Sequence, residues 1–103
     1  METGFKGTIW NRGKDEELAA EGFQTTFANG VTVSVQWSET HYCSQRTERT
    51  PGKSSTAEVA IFQRDGEWLT RKWRDYGDDV VGWQSPKDVI LAMVWAERQP
   101  PLS

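Results

Sequence analysis

The stretch FQTTFANGVTVSVQW, residues 23–37, predicts a β-hairpin and decides the fold class. Apolar and polar residues alternate on both sides of Asn29-Gly30, a dipeptide that supplies the positive φ angles of a tight hairpin turn. The second strand places four apolar side chains on one face: Val31, Val33, Val35 and Trp37. Because side chains two apart in a strand share a face, we expect this face to be buried.

A second hairpin is predicted downstream. TAEVAIFQ (residues 56–63) alternates in the same way, and Asp65-Gly66 follows it as another turn signal. EWLTRKW (67–73) is therefore predicted to be the return strand. VVGWQ (80–84) is short and apolar, which indicates a fifth strand or an extended lead-in to the last element.

Ser85-Pro86 predicts the start of a helix, since serine is a good N-cap and proline fits the first helical position. The helix is expected to run to Glu97 or Arg98 and to stop before the prolines that follow. Its predicted buried stripe is Val89, Ile90, Met93 and Val94, widened by Leu91, Ala92 and Trp95. A helix that is apolar nearly all round is buried on more than one side. We therefore expect a homo-oligomer that forms through Leu91 and Trp95 of this helix.

These elements predict an α+β fold: an antiparallel sheet of four to five strands, built from two hairpins, with a C-terminal helix packed on one face. At 103 residues the chain is expected to be a single domain, residues 1–103. The pattern of residues 1–22 gives only weak signals of secondary structure. FKGTIW (5–10) fits a short strand and DEELAAE (15–21) a short helix. Residues 38–55 are predicted to be a long polar loop.

Charge and cysteine content argue against several classes of protein. The net charge of −3 and a pI near 5.1 disfavour a general nucleic-acid binder, which needs a positive field. One cysteine excludes an internal disulfide framework and fits a reducing cytosol. There is no basic-then-apolar leader, and the longest apolar run, VILAMVWA (89–96), is too short to span a bilayer. We therefore expect a cytoplasmic protein without a membrane partner.

The middle of the chain is relatively basic, because residues 38–75 hold seven Lys/Arg against six Asp/Glu. In the predicted strand 67–73, one tryptophan and at least one cation must lie on the face away from the core. Exposed Trp, Tyr and Arg favour binding of a protein or of a phosphate-bearing ligand. The alternative is a charged edge that only keeps the sheet soluble. The candidate contact residues are Tyr42, Arg46, Arg49, Trp68, Arg71, Trp73 and Arg74.

The sequence gives weaker signals for catalysis and for metal binding. His41 and Cys43 are two apart on an extended segment and would point the same way, which suggests a small Cys/His enzyme. The alternative is that Cys43 packs as a small hydrophobic residue. Asp78-Asp79 is interpreted as a turn with solvated charge rather than a metal site. No catalytic residue, metal ligand or cofactor is therefore assigned.

The segments TTFANGVTVSVQW, HYCS, AEVAIF and DDVVGWQSPKDVI resemble parts of a set of small proteins from tailed bacteriophages. That set shares the Asn-Gly hairpin, a Tyr-Cys motif and a DDV-G-(S/T)P segment before the last helix. The resemblance covers residues 23–43 and 57–95 and carries no established activity, so it assigns no site residue. It implies a small accessory protein made inside an infected bacterium, and such proteins often inhibit host machinery, including defence systems.

The leading hypothesis is therefore a non-enzymatic binding protein that inhibits a host protein or sequesters a small anionic, nucleotide-like ligand. The alternatives are the Cys/His enzyme and a single-stranded nucleic-acid binder that uses the Trp/Arg face.

Overall fold

The fold is seen in a computed structural model, which describes residues 4–6, 9–12, 16–19, 22–37, 43 and 53–101. Most of the predicted polar loop, residues 38–55, lies outside the described residues, so its conformation stays a prediction.

The described residues form eight strands and two helices. The strands are β1 (Phe5–Lys6), β2 (Ile9–Arg12), β3 (Glu16–Ala19), β4 (Gly22–Thr26), β5 (Val31–Gln36), β6 (Lys53–Ser54), β7 (Ala57–Gln63) and β8 (Val81–Gln84). The helices are α1 (Thr70–Trp73) and α2 (Pro86–Glu97).

The main sheet has the strand order β4-β5-β7-β8, and every neighbouring pair is antiparallel. Helix α2 packs across one face, against β5 and β7. This arrangement confirms the predicted α+β fold with a four-stranded antiparallel sheet. Two smaller antiparallel ladders, β1–β6 and β2–β3, complete the described strands.

The β4–β5 hairpin confirms the prediction from residues 23–37, with Phe23 opposite Val35 and Thr25 opposite Val33. Its turn differs from the expected one. Gly30 has a φ of 86°, but Asn29 does not share the positive φ. The turn closes with Gly30 N–H donating to the carbonyl of Phe27. This geometry leaves the Asn29 side chain free to bind elsewhere, as described below.

The core confirms the predicted apolar face of β5, since Val31, Val33 and Val35 are fully buried. The predicted stripe of α2 is wrong in part. Val89, Ala92 and Ala96 face the sheet, whereas Ile90 and Val94 are exposed. The reason is that alanines allow the helix to lie close to the sheet, so the bulky residues that the pattern favoured point outward.

The predicted return strand 67–73 is wrong. Only Trp68 pairs with β7, in a single bridge to Phe62. The chain then turns into α1, because the Thr70 hydroxyl replaces the backbone of a paired strand. This hydroxyl accepts from Ile61 N–H at 2.9 Å and donates to the Ile61 carbonyl at 3.3 Å. Leu69 and Thr70 are both buried, although neighbouring residues of a regular strand point to opposite faces.

The predicted short helix in residues 15–21 is also wrong, since Glu16–Ala19 forms strand β3. It pairs with β2, with Ile9 opposite Ala19 and Arg12 opposite Glu16. A helix of so few residues is marginal in water, whereas a neighbouring strand supplies a backbone partner for each residue.

Helix α2 begins and ends as predicted. The Ser85 hydroxyl accepts from Asp88 N–H, and the Asp88 carboxylate accepts from Ser85 N–H, which makes a capping box. Proline occupies the first turn, and the helix ends at Glu97.

Candidate partner-binding surface

One edge of the main sheet gathers most of the described candidate residues. Trp68 bridges to Phe62 of β7, and β8 pairs with the earlier residues of β7, Ala57 and Val59. Trp68, α1, residues 74–80 and β8 therefore lie along the same side of β7. We name these residues the edge surface.

Trp68 is the more exposed of the two aromatic candidates that the structure describes, Trp68 and Trp73. Its side chain rests against Phe62, with the ring centroids 5.5 Å apart and the planes at 65°. The residue remains 48% exposed. An edge-to-face contact on one side holds the indole in place while the other side stays open to a partner.

Arg71 organises the segment between α1 and β8. Its Nη2 donates to the Gly77 carbonyl at 2.9 Å, and its Nε lies 3.8 Å from Oδ1 of Asp79. The guanidinium is about half exposed, so the ion pair itself adds little stability. Its positive charge is nevertheless matched by the neighbouring carboxylate.

Trp73 and Arg74 are held by contacts within the chain. Trp73 packs against the core, and the Arg74 guanidinium lies 4.4 Å from the centroid of its ring. Arg74 Nη1 also donates to Oε1 of Gln84 at 2.6 Å and to Oδ1 of Asp88 at 3.2 Å. Arg74 thus ties the end of α1 to β8 and to the start of α2.

Asp88 is the titratable group that this cluster perturbs. Donation from the Ser85 backbone N–H lowers the pKa of Asp88, and the Ser85 hydroxyl and Arg74 lower it further, against a smaller opposing effect of burial. The carboxylate is therefore ionised at neutral pH and strengthens the helix cap.

The remaining candidates fall in two groups. Tyr42, Arg46, Arg49 and His41 lie outside the described residues. Cys43 is completely buried in the core cluster, the environment of a packing residue rather than of an accessible nucleophile.

The aspartates before β8 form turns. Oδ1 of Asp75 accepts from Gly77 N–H at 3.0 Å, and Oδ1 of Asp78 accepts from Asp79 N–H at 2.7 Å. Within the described ranges, no group of three or more His, Cys, Asp or Glu side chains could hold a metal ion.

Trp83 is a residue of the edge surface that the sequence did not single out. It lies in β8, it is 51% exposed, and its φ is 58°. Of the non-glycine residues that the structure describes, it alone has a positive φ. A left-handed backbone costs an L-residue about 1–2 kcal/mol. The run VVGWQ predicts a strand but contains no signal for this conformation.

The outer face of α2 is a second exposed apolar surface. Ile90, Leu91 and Val94 are 60%, 45% and 40% exposed. Trp95, by contrast, packs partly against the core. Of the two residues expected at the subunit contact, the structure therefore leaves Leu91 the more available.

A cleft of about 250 Å³ lies between α1 and the residues that follow α2. Its lining residues are Gln63, Glu67, Leu69, Lys72, Gln99, Pro100 and Pro101. Oε1 of Gln63, one of these residues, is fully buried and accepts no hydrogen bond from any residue that the structure describes.

Comparisons with known proteins give no relative from which a role could be carried over: no family model, no curated protein and no solved structure matches the chain. Among the described helices, none is long and apolar enough to cross a membrane.

Proposed function

We propose that this protein is a non-enzymatic binding protein that acts by occupying a partner protein through the edge surface. The observation that carries the proposal is Trp68, a tryptophan that contacts the Phe62 ring and leaves about half of its surface exposed to solvent. Tryptophans of this kind supply much of the binding energy at protein interfaces.

The charges of the edge surface favour a protein partner over an anion. Arg71 is paired with Asp79, and Arg74 is paired with Asp88. Asp75 and Asp78 have no cation within ion-pair distance among the described residues. A phosphate would therefore meet exposed carboxylates and already neutralised guanidinium groups, whereas a protein can present complementary charge around an apolar pocket.

The resemblance to small phage proteins supplies the context of the proposal. The partner would be a protein of the infected bacterium, and the binding protein would act in its cytoplasm as an inhibitor, for example of a defence system. Tyr42, Arg46 and Arg49 remain proposed contacts of the same interface.

A capture experiment tests this proposal. The full chain is immobilised, and proteins retained from a bacterial lysate are compared between wild type and Trp68→Ala by quantitative mass spectrometry. We expect a specific protein that wild type retains and Trp68→Ala loses. Phe23→Ala is the matched control, because Phe23 is an exposed aromatic residue on β4, at the opposite edge of the sheet. Equal retention by wild type and Trp68→Ala would contradict the assignment of this surface.

The second candidate function is the sequestration of a small anionic ligand. Its specific support is the cleft beside α1, which Lys72 lines together with its ion-pair partner Glu67. Thermal unfolding with and without AMP or inorganic phosphate tests this candidate. A rise in melting temperature that is absent in Lys72→Ala supports the cleft, and no rise with either probe argues against it.

We also propose that the protein self-associates through the outer face of α2. Three large apolar side chains, Ile90, Leu91 and Val94, are exposed there. The helix dipole disfavours a positive charge in the first turn and a negative charge in the last turn. Lys87 lies in the first turn of α2 and Glu97 in the last. In an antiparallel dimer, Lys87 would lie near the C-terminal end of the neighbouring helix and Glu97 near its N-terminal end. Both charges would then interact favourably with the helix dipole of the second copy.

A further inference from the structure

Trp83 lies in a β-bulge at the edge of the main sheet. Val81 pairs with Val59 and Gln84 pairs with Ala57, so Gly82 and Trp83 together oppose the single residue Glu58. Val81 and Gln84 are buried on either side, whereas Trp83 is half exposed. The bulge therefore presents a large indole to solvent from a strand whose neighbouring residues are anchored in the core.

The residue that follows Trp83 braces the bulge through hydrogen bonds of its side chain. Gln84 Nε2 donates to the Gly82 carbonyl at 2.9 Å, which spans the residue. Oε1 of the same Gln84 accepts from Arg74 at 2.6 Å, and Arg74 is also bound to Asp88 at the start of α2. A conformation that glycine adopts easily and tryptophan adopts rarely is thus flanked by Gln84, which Arg74 ties to the start of α2.

We propose that Trp83 is the preorganised anchor of the edge surface, and that its indole inserts into an apolar pocket of a partner protein with a basic rim. This inference rests on the proposed function, since it assumes that the partner is a protein. Preorganisation favours binding because no rotation of the backbone has to be restricted when the partner arrives.

The basic rim follows from the charges beside the anchor. Asp75 and Asp78 lie in the turn before β8 and have no cation within ion-pair distance among the described residues. The cations of the edge surface are engaged internally: Arg71 with Asp79, Lys72 with Glu67, and Arg74 with Gln84 and Asp88. Complementary lysines or arginines on the partner would lie around the pocket and would speed its association at low salt.

A purely structural role for the bulge makes a different prediction. Bulges also protect edge strands from pairing with other chains, and for that role the indole is not needed. Trp83→Gly separates the two roles. Glycine keeps the positive φ of the bulge without its steric cost, and it removes the indole.

The experiment compares the full chain with Trp83→Gly, Trp83→Phe and Trp68→Ala. Each protein is tested for thermal stability and for its Kd toward the protein that wild type captures from lysate, once that protein is purified. We expect Trp83→Gly to melt at or above the wild-type temperature and to bind about thirtyfold or more weakly. Trp83→Phe, which keeps an aromatic anchor, should bind more tightly than Trp83→Gly. The wild-type Kd should rise with sodium chloride concentration.

The outcomes separate the two proposals. Wild-type affinity in Trp83→Gly would overturn the anchor, while a loss in Trp68→Ala would still support the edge surface. A large fall in the melting temperature of Trp83→Gly would show that the indole serves the fold, which also overturns the anchor. If the wild type captures no protein above the blank matrix, the proposed function fails and the anchor fails with it. A Kd that does not change with salt would overturn the basic rim.

Discussion

Asn29 joins the tip of the β4–β5 hairpin to the end of α2. Its Nδ2 donates to the Ala96 carbonyl and to the Gln99 carbonyl, each at 2.8 Å. Its Oδ1 accepts from Val31 N–H at 3.0 Å. The last carbonyls of a helix have no partner within the helix. One side chain of the hairpin turn therefore caps an element about seventy residues away.

We expect Asn29→Ala to lower the free energy of unfolding by about 1–3 kcal/mol, because it removes the side-chain donation to the partly buried carbonyls of Ala96 and Gln99. Asn29→Asp is the informative comparison. It keeps the acceptor for Val31 but cannot donate to α2, so it should be destabilised as well. Urea denaturation followed by circular dichroism measures both variants. If Asn29→Asp matches the wild type, donation to the helix does not contribute.

The same residue shows what a sequence pattern can and cannot predict. Asn29-Gly30 correctly marked the hairpin, and Gly30 has the expected positive φ of 86°. The pattern did not show that the asparagine would bind α2, because that contact depends on where the last helix lies. Trp83 is the stronger example: Gly82 in VVGWQ is a residue that often marks a bulge, but nothing in the run indicates a positive φ at the tryptophan that follows it.

Elements with strong local signals were predictable, and those decided by distant partners were not. The Ser85 cap and the proline after it predicted the start of α2. The segment 67–73 has the alternation of a strand, yet its conformation depends on a hydroxyl, that of Thr70, which binds Ile61 nine residues earlier. An alternating sequence pattern alone cannot show that a side-chain hydroxyl will replace a backbone partner in these hydrogen bonds.

Asp88 makes the start of α2 sensitive to acid. Its pKa is lowered in the folded protein, first by donation from Ser85 N–H, while in the unfolded chain it titrates near its ordinary value of about 3.9. A lowered folded pKa adds stability that is fully present above the unfolded value and is lost as the pH falls through the folded value.

We therefore expect Asp88→Asn to be less stable than wild type by about 1 kcal/mol at pH 7, the scale of a helix cap. The difference should stay constant down to about pH 4 and shrink below it. Thermal unfolding from pH 7 to pH 2.5 measures both proteins. A difference that is unchanged at the acid end would show that the charge of Asp88 is not what stabilises the cap.

At the scale of the whole molecule, most of the large exposed apolar residues that the structure describes lie on two surfaces. Trp68 and Trp83 lie on the edge surface, and Ile90, Leu91 and Val94 lie on the outer face of α2. The sequence indicated an apolar helix with two sides and placed Val89 correctly, but it assigned Ile90 and Val94 to the wrong side. The reason is that the alanines that face the sheet carry little hydrophobic signal. Trp95 is partly buried against the core, so its removal should affect the fold as well as any assembly.

If the protein self-associates through α2, substitutions on the outer face of this helix should weaken the dimer without destabilising the single chain. Ile90→Glu with Val94→Glu should make a concentration-dependent dimer monomeric, because like charges would meet in the contact between copies. The melting temperature of the dilute protein should change little, since both side chains are exposed in the single chain. Trp95→Ala should instead lower the melting temperature, because its ring packs on the core. Sedimentation velocity over a range of concentrations measures the assembly. A wild-type protein that stays monomeric throughout would contradict the assembly, and an unchanged dimer in the double variant would place the contact elsewhere.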